Sequence, residues 1–217
     1  MTFASLFGCY FLATVLHVSG FAVAALLLRV KMEEFVIFFW PWLLKTKIGG
    51  VEVKLGALPL GGYVKFSEES YYALDFFRQL LIQLAGPAVL FVTALLTIGW
   101  EATVNRFTDA YVNMLRGAIS PLGLGPRLLQ QAFEFAARHD LRTVFGHFTT
   151  IILAVQLIPL PNWNGGNLIL HFLRAIFRWQ PEQEMPARYV GLLLGLLWGL
   201  SWFIALVVAL VSSNSAV

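Results

Sequence analysis

Long apolar runs alternate with segments of a different rhythm along this chain, and the lengths of those runs give the first reading. The first extends from Phe3 to about Leu28 without a charged residue. The second runs from about Leu80 to Trp100, the third from about Val144 to Leu160, and the fourth from about Val190 to Val211. A hydrocarbon core of roughly 30 Å takes about 20 helical residues to cross. Each run therefore predicts a transmembrane helix. The first has no basic n-region and no cleavage site ahead of a soluble domain, so it reads as a span and not as a secretory leader. A shorter apolar stretch, GNLILHFLRAIF at 166–177, cannot span alone and is expected to continue past the end of the third helix.

The connections have other patterns. Residues 48–66, IGGVEVKLGALPLGGYVKF, alternate and are punctuated by Gly49-Gly50 and Gly61-Gly62, which is a hairpin signal. Ahead of them lies FVIFFWPW, 35–42, strongly apolar and aromatic. Open sheet edges are not tolerated in hydrocarbon, so a small sheet here is expected to be shielded from lipid or to lie at the interface. Residues 107–140 read as an amphipathic helix, with Ala132, Phe133, Phe135 and Ala136 set among Arg127, Gln130, Gln131, Glu134 and Arg138. Such a helix lies on the outer leaflet or against the bundle.

Composition places the chain in a membrane. Of its 217 residues 59% are hydrophobic and 12% charged, with a mean hydropathy of +0.75. A soluble domain carries about 25% charged residues, so this chain cannot cover a water-facing surface. The net charge is +3, the basic residues are scattered, and no aromatic-basic stripe suggests nucleic acid. Cys9 is the only cysteine, which excludes an internal disulfide and a zinc-thiolate site. The connections after the first and third spans hold ten basic residues (Arg29, Lys31, Lys45, Lys47, Lys54, Lys65, Arg78, Arg174, Arg178 and Arg188) against five in the segment between the second and third. That bias places the first and third connections in the cytoplasm and both termini on the outer face, in a bacterial inner membrane.

Two separated motifs, LHVSGFAVAALLLRVKMEEF at 16–35 and QLIPLPNWNGGNLIL at 156–170, resemble those of the site-2 protease family of intramembrane zinc metalloproteases. In that family a first helix carries H-E-x-G-H-F, with VKVEEF-like residues at a fixed distance, here VKMEEF at 30–35. A later helix carries N-L-L-P-I-P-x-L-D-G-G-H. GALPLGGYVKF at 56–66 resembles the family's membrane-associated β-loop, and LAGP at 84–87 a motif of its second core helix. PLGLGPRLLQQA at 121–132 and RWQPEQEMPARYVGLLLGLLWGL at 178–200 resemble later segments. The resemblance implies an all-α membrane protein forming a single membrane domain over 1–217. It would have about four transmembrane helices, a small β-hairpin or sheet after the first, and an amphipathic helix between the second and third. Bacterial members often carry PDZ domains between those two helices, whereas about 45 residues lie there in this chain, with no sandwich-like strand pattern.

The chemistry departs further. The family needs two histidines at i and i+4 on one helical face to reach one zinc, with a neighbouring Glu as general base for the zinc-bound water. It also needs an Asp from the later motif. By resemblance the first ligand position is His17, the Glu position is Val18, the second His position is Phe21, the Asp position is Asn164, and the Asn that helps hold substrate backbone is Gln156. A catalytic zinc takes three protein ligands plus water. Only His17 is a good ligand, since an Asn carbonyl suits hard cations better. His147 is nine residues before Gln156, about 13 Å along a helix. His171 and His139 are no better placed. No metal and no cofactor are expected.

The bland reading of His17 is a neutral histidine bonded to Asn164 or to a nearby backbone carbonyl. Asn164-Gly165-Gly166, with Pro159 and Pro161, reads as a structural turn. The seven Trp read as interfacial anchors, and the Glu pairs at 33–34 and 68–69 as solvated surface. The expected function is that of a proteolytically inactive homologue serving as a subunit of a membrane complex, in contact with lipid and binding transmembrane segments of other membrane proteins. Trp40, Trp42, Val51, Val53, Leu55 and Tyr63 are the candidate contacts. No small-molecule substrate is expected. The alternative is an active intramembrane metalloprotease with a non-standard metal site. Ion transport is disfavoured because the spans lack acidic residues, apart from end residues such as Glu101.

Overall fold

The computed structural model describes residues 3–178 and 184–214. Their order is α1 (Phe3–Leu27), β1 (Met32–Ile48), β2 (Val51–Phe66), α2 (Glu68–Tyr72), α3 (Phe76–Ile98), α4 (Trp100–Ile119), α5 (Leu124–Arg138), α6 (Leu141–Gln156), α7 (Asn164–Phe177) and α8 (Met185–Asn214). Three helical segments are long and apolar enough to cross a membrane: Ser5–Leu27, Phe76–Ile98 and Met185–Ser212. The third apolar run becomes α6, 16 residues long, or about 24 Å at 1.5 Å per residue. It stops because Pro159 and Pro161 lack the N–H that continues a helix. The stretch at 166–177 therefore belongs to a separate helix, α7, and does not extend the third run.

The described chain divides into two compact units, residues 3–93 and 94–214. In the first, α1 ends in a complete Schellman motif. Arg29 takes a left-handed φ of 58°, its N–H bonds the Leu26 carbonyl, and the Val30 N–H bonds the Ala25 carbonyl. Buried Val30 packs on Ala25 in the same cluster, the apolar contact that accompanies this motif. This cap sets the direction in which the chain enters the sheet.

The hairpin lies earlier than the sequence pattern suggests. Gly49 and Gly50, at φ 57° and 87°, form its turn, so the aromatic stretch at 35–42 is the middle of β1. Both strands carry successive register shifts. As a result residues 34–37 pair with 62–65 and also with 52–55, while 44–48 pair with 51–55 alone. Gly56 permits the bend, since a Cβ there would lie 2.0 Å from the Phe39 carbonyl oxygen. Phe38, at φ 63°, is a non-glycine residue in the left-handed region, which costs on the order of 1–3 kcal/mol. Its ring repays that cost by full burial, packing on Phe7, on Phe11 and, stacked at 5.7 Å, on Tyr10 of α1.

An ionic cluster ties the strands together. Lys54 Nζ lies 3.0 Å from Glu34 and 2.6 Å from Glu52, whose other oxygen is 2.9 Å from Lys45. Tyr63 donates to Glu34 at 2.9 Å. Glu34 is thus a paired group within the sheet and not plain solvated surface.

In the second unit the segment at 107–140 is two helices, because Ser120–Gly123 break the pattern. The Ser120 hydroxyl accepts from the Leu124 N–H at the start of α5, 3.0 Å away. Small residues let the helices approach closely. A Cβ on Gly117 would meet the Trp202 ring at 2.5 Å, one on Gly125 the Ala205 side chain at 2.8 Å, and one on Gly146 the Thr97 hydroxyl at 2.4 Å. Ser201 donates to the Ala118 carbonyl. The amphipathic pair therefore packs its apolar face on α8 and α6.

Hydrogen bonds from Lys54 and Lys45 hold the Glu52 carboxyl down to about 2. A lowered carboxyl pKa contributes stability above the unfolded value near 4.3 and loses it as pH falls through the folded value. Glu52→Gln is therefore expected to melt earlier than the parent at pH 7 in mild detergent, with the two curves converging as pH is lowered toward 2.

Candidate functional site

His17 and Phe21 stand four residues apart on α1, one turn above each other on one face. Their rings meet edge to face, 4.9 Å between centroids. Both press on Gly86 of α3, where a Cβ would lie 2.5 Å from the Phe21 ring and 2.8 Å from the His17 ring. The His17 ring also hydrogen-bonds the Gly86 backbone. Gly20 completes the contact, because a Cβ there would meet the Ala85 carbonyl oxygen at 2.6 Å. The glycines at 20 and 86 let α1 and α3 touch backbone to backbone, and Phe21 fills the space beside them.

Val18 points another way. It is fully buried and forms a cluster with Ile37 and Phe38 of β1. Its Cγ2 would lie 2.9 Å from a Cβ on Gly62. A carboxylate in this place would face only hydrocarbon, a placement that ionised groups do not tolerate without a partner.

These residues do not fit a zinc ion. Beside His17 the i+4 position presents a phenyl ring and the adjacent position a valine. No three His, Cys, Asp or Glu side chains group together among the described residues.

In the second unit Gln156 is the last residue of α6 and Asn164 the first of α7. Between them the chain turns tightly, with Leu160 N–H bonding Ile158 and Trp163 N–H bonding Leu160. Asn162 takes a left-handed φ of 75°. Gly165 and Gly166 are required because α7 folds straight back on this turn. Cβ atoms there would lie 2.3 Å and 2.0 Å from the Leu157 and Leu160 carbonyl oxygens.

The sequence reading missed the polar network that holds this turn. Glu184, 1% exposed on its side chain, bonds Arg174 of α7 at 2.6 Å and Arg188 of α8 at 3.0 Å. The Asn162 amide donates to the Arg188 carbonyl at 2.7 Å, and Arg188 donates to Asn162 and Asn167. The i, i+4 spacing of Glu184 and Arg188 was the available signal.

The candidate partner-binding residues separate into two groups. Trp40 is 68% exposed and Trp42 partly so. Val53 and Leu55 are each paired on two strand segments, and Leu55 packs on the Val18 cluster. Tyr63 is engaged with Glu34, and Val51 closes the hairpin opposite Ile48. Two segments have one paired side, 62–65, which carries Tyr63, and 44–48, where Leu44 and Ile48, next to Leu43, are exposed. Of the two edges, 44–48 is the one flanked by exposed apolar side chains and is the more open to an added strand.

Residues 6–198 match the model of peptidase family M50. Among curated proteins, similarity is found to a protein of Chlamydia trachomatis named "Putative zinc metalloprotease", 26% identical over 39% of this chain and 17% of that protein. Proteins of like name match from Campylobacter jejuni, 36% identical over 36% of this chain and 27% of the relative, and from Thermotoga maritima, 33% identical over 34% and 17%. The matched regions thus span about a quarter or less of the length of these relatives.

Gly86→Ala is expected to cost about 1–3 kcal/mol by overpacking. Adding Phe21→Ala to Gly86→Ala should recover part of that loss, so thermal melts of the two singles and the double in detergent should show non-additivity.

Proposed function

The chain belongs to peptidase family M50, the site-2 proteases, and from that footing we propose that it is a proteolytically inactive membrane subunit that holds a segment of a partner membrane protein. The observation that carries this reading is the side-chain set on α1. Phe21 occupies the space over Gly86 beside His17, and Val18 is sealed under the sheet. The general base and the second imidazole are replaced by groups that neither accept a proton nor bind metal.

The binding half of the proposal rests on the sheet. Residues 44–48 present backbone with one free side among the described strands, flanked by exposed Trp40, Leu43, Leu44 and Ile48. An extended peptide adds to such an edge through main-chain bonds, and the neighbouring side chains supply selectivity. The basic-residue asymmetry supports this sheet on the cytoplasmic side, and the bacterial relatives support a bacterial inner membrane.

The test combines two readouts on the full chain in lipid vesicles. Incubation with a model transmembrane substrate should give no product above that of His17→Ala. A photo-crosslinking side chain at Leu44 should capture an added membrane-protein segment more strongly than one at exposed Leu197 of α8. Product that depends on His17 would indicate an active protease with a non-standard site. Equal capture from both positions would remove the sheet edge from the proposal.

A further inference from the structure

The second unit contains a cavity of about 250 Å³ lined by α4, α5, α6 and α8. Its apolar wall includes Met114, Leu128, Leu129 and Ile151. Two nitrogens on its lining residues break that pattern. Arg106 Nε and Trp202 Nε1 are both buried, and neither has a hydrogen-bond partner. Trp202 belongs to the membrane-crossing segment Met185–Ser212, so the guanidinium stands beside a transmembrane helix. The carboxylate whose charge acts on Arg106 is Asp109, three residues along the same helix. No ion pair among the described residues includes Arg106.

A water molecule would satisfy an N–H but would not neutralise a guanidinium held against apolar walls. A guanidinium without an ion-pair partner calls for a group of opposite sign. Guanidinium and indole N–H groups are both donors without an acceptor, which makes the pair selective for a group made of acceptor oxygens. Asn113 and Gln131 also line the cavity and carry amides able to donate to further oxygens. The volume equals roughly eight waters at about 30 Å³ each, room for a phosphate head and the first carbons attached to it.

We propose that this cavity binds a phosphate group, with Arg106 and Trp202 as its donors and the apolar wall receiving the hydrocarbon next to it. Either the head of an anionic phospholipid or free phosphate presents that chemistry. This inference is independent of whether the chain cuts peptides.

Native mass spectrometry of the full chain in mild detergent tests it, with phosphatidylglycerol, phosphatidylcholine and inorganic phosphate as separate probes. Phosphatidylglycerol is expected to bind the parent and to weaken by about tenfold or more in Arg106→Gln, the loss of a charge-assisted contact. Trp202→Phe removes one N–H with little change of shape and should weaken binding several-fold. Arg116→Gln, an exposed charge on the same helix, should leave binding unchanged. Preference for phosphatidylglycerol over the other probes identifies a lipid head. Inorganic phosphate binding with the same Arg106 dependence identifies the free ion. Equal binding by parent, Arg106→Gln and Trp202→Phe overturns the proposal, as does an equal loss in Arg116→Gln. Size-exclusion profiles matching the parent confirm that the variants are folded.

Discussion

Val18 is the point at which helix and sheet meet. Its side chain is sealed between α1 and the β1 residues Ile37 and Phe38. Burying a valine contributes about 1.5–3 kcal/mol, and here the same contact docks the sheet on its helix. Gly62 has no side chain at the place where Val18 Cγ2 lies, so the sheet approaches α1 to backbone distance. A glutamate at this position would have to carry its charge into that cluster or stay protonated. The packing that organises this unit surrounds position 18 with apolar side chains.

The neighbouring replacement follows the same logic. Phe21 lies one turn along from His17 and seats its ring on Gly86. A pair of imidazoles converging on a cation needs open space between them, whereas a phenyl ring against a glycine fills that space. Val18 and Phe21 both contribute ordinary interior packing on α1. His17 remains as a buried ring bonded to the Gly86 backbone. On the other unit, the turn before Asn164 is held by close glycine approach and by the Glu184 network. Its geometry depends on bonds that require no metal.

How much the sequence discloses depends on what kind of force shapes each part. Apolar length is a strong signal, and the runs read at 80–100 and 190–211 became Phe76–Ile98 and Met185–Ser212. Register is a weak one. The glycine pair at 49–50 was visible as a turn, but the strand before it was hidden by an aromatic run without alternation, and its double pairing depends on bends at Phe38 and Gly56. The amphipathic pattern across 107–140 was right in kind and hid a break at Ser120–Gly123, where a hydroxyl takes over the cap. Long-range polar contacts were the least legible. Lys54 with Glu34, and Glu184 with Arg174, join residues whose proximity only the folded chain creates. Trp202, read as an interfacial anchor, also lines the cavity of the second unit.

The flanking motifs place His17 at the family's ligand position and Val18, Phe21 and Asn164 at positions that depart from it, and the structure adds what fills the space beside His17. The proposed lack of proteolysis requires that space to hold no zinc. Elemental mass spectrometry of the purified chain, beside His17→Ala prepared identically, measures it directly. The account predicts zinc far below one equivalent in both samples. Zinc near one per chain, lost in His17→Ala, would contradict it.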